Sequence, residues 1–126
     1  MISIIVPTFN EEKYVTKALE RLQEFRKNKI VEIILVDGLS QDNTLALSKD
    51  LCDIMITVEP GRAGQLNAGA VEANNDLLLF MHADTIMNHE NIYELLRKYK
   101  KIEWGFFHLG FISKSFKFQF LSYCIN

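Results

Sequence analysis

A chain of 126 residues, 48% hydrophobic and 24% charged, is long enough for one globular domain with a buried core and too apolar for a disordered segment. Its formal charge of −2, with acidic and basic residues interspersed, argues against nucleic acid as a partner, because a general binder needs a basic stripe. In chain order, residues 2–6 read as a short buried strand stopping at Pro7, which cannot donate to a ladder. Asn10 or a neighbour is then placed to cap an amphipathic helix with Tyr14, Ala18, Leu19, Leu22 and Phe25 on one face. Residues 30–36, rich in β-branched side chains and interrupted only by Glu32, make an interior parallel strand that ends at Asp37-Gly38. Ser40-Gln41-Asp42-Asn43-Thr44 offers capping groups to a second helix carrying Leu45, Ala46 and Leu51. A third strand at 53–58 is broken by Pro60-Gly61, and 63–73 has the spacing of a helix whose Gly64 and Gly69 both suggest close backbone packing. The fourth strand is 76–81, and 88–101 is a helix with Ile92, Leu95, Leu96 and Tyr99 along one side. A fifth strand at 105–112 and a short helix at 116–123 complete the expectation.

This alternation is the signature of repeated βα units: an α/β three-layer sandwich with a mainly parallel sheet in the order 3-2-1-4. A single domain over 1–126 is expected, with the βα units in 1–101 and the additional strand and helix in 102–126. Cys52 and Cys124 lack the spacing of a disulfide framework or zinc module, which points to a reducing compartment. No apolar run nears the roughly 20 residues of a membrane span, and Met1 leads into a strand instead of a secretory leader. A cytoplasmic location follows, with peripheral membrane contact or self-association left open by the six phenylalanines between Trp104 and Ile125. His89 and His108 read as structural or surface groups.

In an open parallel sheet, ligands bind beyond the carboxyl ends of the strands, near the point where strand order reverses. The polar segments fall there: Thr8, Asn10 and Glu11 after strand one, Asp37 after strand two, Arg62 after strand three, His82 and Asp84 after strand four. No G-x-G-x-x-G follows the first strand, which disfavours a dehydrogenase, and Ala70 and Val71 stand where a P-loop requires Lys and Ser/Thr. A nucleoside diphosphate suits the remaining rim. Asp37 can accept from a base or ribose, Arg62 can offset phosphate charge, and Asp84 can ligate a hard divalent cation.

Four segments carry a family likeness: Val6-Pro7-Thr8-Phe9-Asn10-Glu11-Glu12, Val36-Asp37-Gly38-Leu39-Ser40-Gln41-Asp42-Asn43-Thr44, Gly61-Arg62-Ala63-Gly64-Gln65-Leu66-Asn67-Ala68-Gly69 and Phe80-Met81-His82-Ala83-Asp84-Thr85. In this order they resemble the family 2 glycosyltransferases, and His-Ala-Asp-Thr resembles a bacterial subgroup with histidine at the first position of the usual Asp-x-Asp motif. The resemblance implies a GT-A-type fold, a nucleoside diphosphate sugar as donor, an unknown acceptor, and inversion by direct displacement. It also implies a nucleotide-sugar site drawn from Pro7, Thr8, Asn10, Glu11, Asp37, Arg62, Asn67 and Asp84, with Asn67 beside Arg62 at the diphosphate. Mg²⁺ or Mn²⁺ would be held by Asp84, with His82 as a second candidate, where histidine in place of a hard oxygen ligand would either lower metal affinity or shift preference toward Mn²⁺.

Family members continue into an acceptor-binding half that supplies the catalytic base, so the chain is expected to be the donor-binding half. Glu90, Glu94 and Glu103, in helical or linker-like stretches, are no candidates for that base. Each rim residue also has a plain structural reading: Asp37 and Asp42 as turn and cap groups, Glu11 as a complement to a helix N-terminus, Arg62 as a solvated loop side chain, His82 as a satisfied strand-end histidine. Two other functions stand beside the first. One is a non-catalytic module that keeps the fold and pairs through its Phe-rich tail; the other, a nucleotidyltransferase, lacks the glycine-rich, lysine-bearing loop after strand one.

Overall fold

The computed structural model of the chain describes residues 1–98 and 105. The chain divides into two compact units, Met1–Leu96 and Arg97–Asn126. The strand and helix expected at 105–112 and 116–123, and Tyr99 of the last helix, lie outside the described residues apart from Gly105.

Four parallel strands, β1 (Ile2–Thr8), β2 (Val31–Asp37), β3 (Ile54–Thr57) and β4 (Leu77–Phe80), form one sheet in the order β3-β2-β1-β4. The central pair, β1 and β2, is buried along almost its whole length, as continuous apolar runs require when helices cover both faces. The outer strands β3 and β4 are only half-buried, and Phe80 is exposed at the end of β4. Pairing is in strict register, Ile4 opposite Ile33 and Ile5 opposite Ile34, so alternate residues serve opposite faces. Ile5, Ile34 and Val36 form one face, against which Leu66, Ala68, Ala70 and Ala73 are packed. Each fully buried Ile, Leu or Val contributes about 1.5–3 kcal/mol relative to exposure.

Pro7 does not end β1, which runs to Thr8. Bonding partners alternate sides along a parallel strand: Gly38 N donates to Thr8 O toward β2, and Met81 N donates to Ile5 O toward β4. Position 7 therefore faces β4, whose pairing with β1 ends at Phe80, so the missing N–H interrupts no rung.

The amphipathic helix expected after β1 is two short ones, α1 (Val15–Glu20) and α2 (Gln23–Lys27). Ala18, Leu19, Leu22 and Phe25 are buried as their spacing requires, whereas Tyr14 is exposed. The break has a tertiary cause. The carbonyl of Leu19, which would take the Gln23 amide N–H in a continuous helix, accepts Leu22 N and the Gln23 side chain instead, and the Gln23 Nε2 also donates to Leu51 O at 2.9 Å. Nor does Asn10 cap α1: it has φ of +56°, and no side chain caps that helix.

The remaining helices are α3 (Thr44–Ser48), α4 (Arg62–Glu72) and α5 (His89–Lys98). α4 packs on β1 and β2, α2 lies on β2, and the Phe25 ring meets His89 and Tyr93 edge-on at centroid distances of 4.9 and 5.3 Å. Of the two glycines expected to allow close packing, only Gly69 does so. A Cβ there would collide with Ile5 Cγ2 and sit 2.9 Å from Val36 Cγ2, while one at Gly64 would meet nothing within 4 Å. No helix among the described residues is long and apolar enough to cross a membrane.

Candidate functional site

The carboxyl ends of β1 and β4 and the start of α4 enclose an open cleft of about 290 Å³. Its walls are Pro7, Thr8, Phe9 and Glu11 from the end of β1; Pro60, Gly61, Arg62 and Gln65 from the entry to α4; and His82, Ala83 and Asp84 after β4. The third group owes its arrangement to alternation. Met81 and Ala83 are buried anchors, the His82 carbonyl accepts Thr85 N at 3.0 Å, and His82 and Asp84 are left on the exposed side. Gly61 has φ of +156°, a backbone conformation that L side chains rarely adopt, where the chain turns into α4.

The loop that follows β1 and carries Glu11 is held by the loop that follows β2. Asn10 N donates to Ser40 Oγ and Asn10 Oδ1 accepts Gln41 N; Glu11 N donates to Thr44 Oγ1; Glu12 N donates to Asp42 Oδ2, and Glu12 Oε2 accepts Asn43 N. Backbone groups that sheet and helix leave unpaired are thus satisfied across the junction. Asp42 also accepts Thr44 N at the start of α3. Although partial burial opposes it, its bonds from Thr44 and Glu12 hold the Asp42 carboxyl below its ordinary pKa.

Asp37 is fully enclosed behind the wall. Its carboxylate accepts Thr8 Oγ1 at 3.0 Å, Ser40 N at 2.7 Å and the Ser40 hydroxyl. Contact between this carboxylate and a base or ribose therefore requires the Ser40 bonds to open.

The cleft carries both signs of charge: Glu11 and Asp84 lie close enough for their charges to interact, and Arg62 brings a cation to the same opening from the start of α4. Burial pushes the Glu11 carboxyl above its ordinary pKa, the charges of Asp84 and Asp42 push the same way, and His82 opposes them. Arg62 is exposed and forms no ion pair among the described residues. No three His, Cys, Asp or Glu side chains among those residues cluster as a ready metal cage. The donors present, Asp84 with His82 nearby, suit a cation that takes one carboxylate from protein and the rest of its shell from phosphate oxygens and water.

Of the residues singled out in the sequence, Pro7, Thr8, Glu11, Arg62, His82 and Asp84 line this cleft, although 77 positions separate the first from the last. Asn10, Asp37 and Asn67 do not. Asn10 is committed to Gln41, Asp37 is enclosed, and Asn67 is exposed five positions after Arg62, roughly 140° around the helix. Phe9 and Gln65 also line the cleft, though neither is among the residues expected there from the sequence. For Gln65 a signal existed: it stands one turn before Gly69, on the face of α4 that meets the sheet.

The glycosyl transferase family 2 model matches residues 3–119. The chain is 33% identical over 112 residues to the dolichyl N-acetyl-alpha-D-glucosaminyl phosphate 3-beta-D-2,3-diacetamido-2,3-dideoxy-beta-D-glucuronosyltransferase of Methanococcus voltae, a match covering 81% of this chain and 35% of that protein. It is 32% identical over 99 residues to the poly(ribitol-phosphate) beta-N-acetylglucosaminyltransferase TarS of Staphylococcus aureus, covering 71% of this chain and 17% of TarS. It thus spans about a third or less of the length of these relatives. The crystal structure of the 1–349 fragment of S. aureus TarS superposes with a TM-score of 0.69 at 28% identity, over 79% of this chain and 32% of that one. The same fragment in complex with UDP-GlcNAc gives 0.66 at 28% identity, over 79% and 31%. Glucosyl-3-phosphoglycerate synthase of Mycobacterium tuberculosis, 20% identical with a TM-score of 0.69 over 82% and 41%, shares the fold. With the family model spanning most of its length and the GT-A arrangement of its sheet, the chain belongs to glycosyl transferase family 2.

Proposed function

We propose that the cleft binds a nucleoside diphosphate sugar and that the chain is the donor-binding part of an inverting glycosyltransferase. The observation that carries this reading is the meeting of Arg62, Glu11, His82 and Asp84 from three segments around one open cleft at the carboxyl ends of the strands. The TarS fragment bound to UDP-GlcNAc supports the choice of donor class. Phe9, half-exposed at the rim, offers a ring face to a base, and Arg62 offers charge-assisted bonds to the diphosphate.

Asp84, with His82 beside it, would hold Mg²⁺ or Mn²⁺, and the cation would supply fixed positive charge against the departing diphosphate. The chain's own residues bind and orient the donor: Arg62 draws the diphosphate into the cleft, and Thr8 keeps the Asp37 carboxylate in place through its hydroxyl. We assign the acceptor-activating base to none of these residues. Glu11, the other cleft carboxylate, lies beside Asp84, on the side assigned here to the diphosphate.

Calorimetric titration with UDP and GDP, each with and without Mn²⁺, tests the reading. Binding with a dissociation constant on the order of 1 mM or lower, about −4 kcal/mol or stronger, and strengthened by Mn²⁺, is expected for one of the two. No heat from either nucleotide at millimolar concentration would overturn it.

A further inference from the structure

Gln65 ties together three segments of the cleft through one side chain. It stands in the first turn of α4 and is only 5% exposed. Its Nε2 donates to Thr8 O, the last residue of β1, and to Val36 O, the penultimate residue of β2, each at 2.8 Å. Its Oε1 accepts Gly61 N, a long bond of 3.4 Å that reaches back to the residue before Arg62. Gly38 packs against the same amide, where a Cβ would lie 3.3 Å from Cδ, Nε2 and Oε1.

This position matters because the ladder between β1 and β2 stops here. Gly38 N donating to Thr8 O at 2.9 Å is the last rung between them, and beyond it the chains diverge into the loops that carry the site. One end of the Gln65 amide holds the Thr8 and Val36 carbonyls at the ends of β1 and β2, and the other holds Gly61, next to Arg62. An apolar side chain of similar length would fill the space but hold neither carbonyl, and Thr8 O would still keep Gly38 N. Loss of the amide therefore affects the relative placement of the segments more than the existence of the fold.

We propose that Gln65 is a positioning residue of the donor site, setting the spacing between the nucleoside side at Thr8 and Phe9 and the diphosphate side at Arg62. The inference rests on the donor-binding reading above. Gln65→Met keeps the length and removes the amide. If the amide sets that spacing, UDP affinity falls roughly tenfold, whereas uridine, which uses one side only, loses less than about threefold. Arg62→Ala then costs less in the Gln65→Met background than in the unaltered chain, because the two act as one unit. Gly38→Ala, which pushes a methyl against the amide, gives the same unequal loss more weakly. A purely structural role predicts a lowered Tm with UDP and uridine weakened by the same factor and additive effects with Arg62→Ala, and that result overturns the proposal. Failure of the unaltered chain to bind UDP or GDP would instead remove the donor reading itself, and this role with it.

Discussion

Gly69 and Gly64 lie five residues apart on α4, yet replacement by alanine is expected to act in opposite directions. Alanine favours a helix over glycine by up to about 1 kcal/mol, so propensity alone predicts that both substitutions stabilise. At Gly69 the new methyl meets Ile5 Cγ2 and, at 2.9 Å, Val36 Cγ2. Both obstructing groups belong to β-branched residues on central strands, with little rotamer freedom to retreat. Overpacking of this kind costs about 1–3 kcal/mol, and the upper part of that range applies where neither the strands nor the helix can yield. Subtracting the propensity gain leaves a loss of about 2 kcal/mol for Gly69→Ala. At Gly64 nothing lies within 4 Å, so Gly64→Ala gains a few tenths to about 1 kcal/mol. Urea unfolding followed by circular dichroism measures both, and an unchanged m-value confirms that stability alone has moved. Because Gln65 precedes Gly69 by one turn, lifting α4 at Gly69 also weakens nucleotide binding. Equal signs for the two substitutions, or a Gly69→Ala chain as stable as the original, would refute this account of how α4 sits on the sheet.

Three further outcomes are expected. Asp84→Asn removes the strengthening of nucleotide binding by Mn²⁺ in calorimetry while circular dichroism stays unchanged; a mutant that responds to Mn²⁺ like the original chain contradicts the metal assignment. Glu11 is held above its ordinary pKa by burial first, then by Asp84 and Asp42, so its contribution to stability is full at low pH and is lost as pH rises through the raised value. Glu11→Gln should therefore be more stable than the original at neutral pH, with the gap closing in acid, as read from denaturant midpoints at both pH values. Glu32 behaves oppositely. Burial pushes its carboxyl up, but bonds from Ser3 Oγ at 2.6 Å and from the side chain and backbone of Asn74 outweigh that and hold its pKa down. Its stabilisation is full above the ordinary carboxylate value and lost as pH falls through the lowered one, so Glu32→Gln should destabilise at neutral pH and converge on the original chain in acid.

The sheet was legible because each strand is a short apolar run bounded by Gly, Pro or Asp, and burial on two faces leaves little alternative for runs such as 30–36. Six rim residues were legible because strand ends in a parallel sheet share one edge. What escaped depends on bonds between residues far apart in sequence. The break between α1 and α2 hangs on Gln23 reaching Leu51, the conformation at Asn10 on its bond to Gln41, and the enclosure of Asp37 on Ser40 and Thr8. Spacing along one helix could place Gln65 on the buried face, but not reveal that its amide finds two carbonyls on two strands. The equal treatment of Gly64 and Gly69 failed for the same reason, since only the second faces Ile5 and Val36.

The most direct test of donor binding in this cleft is a ¹H–¹⁵N NMR titration of the chain with UDP and with GDP in the presence of Mg²⁺. Saturable shift changes are expected with one of them, concentrated at residues 8–11, 61–65 and 82–84, with little change at Ser3, Glu32 and Asn74 at the opposite end of the sheet. Saturable shifts centred on that opposite end, or none with either nucleotide, would contradict it.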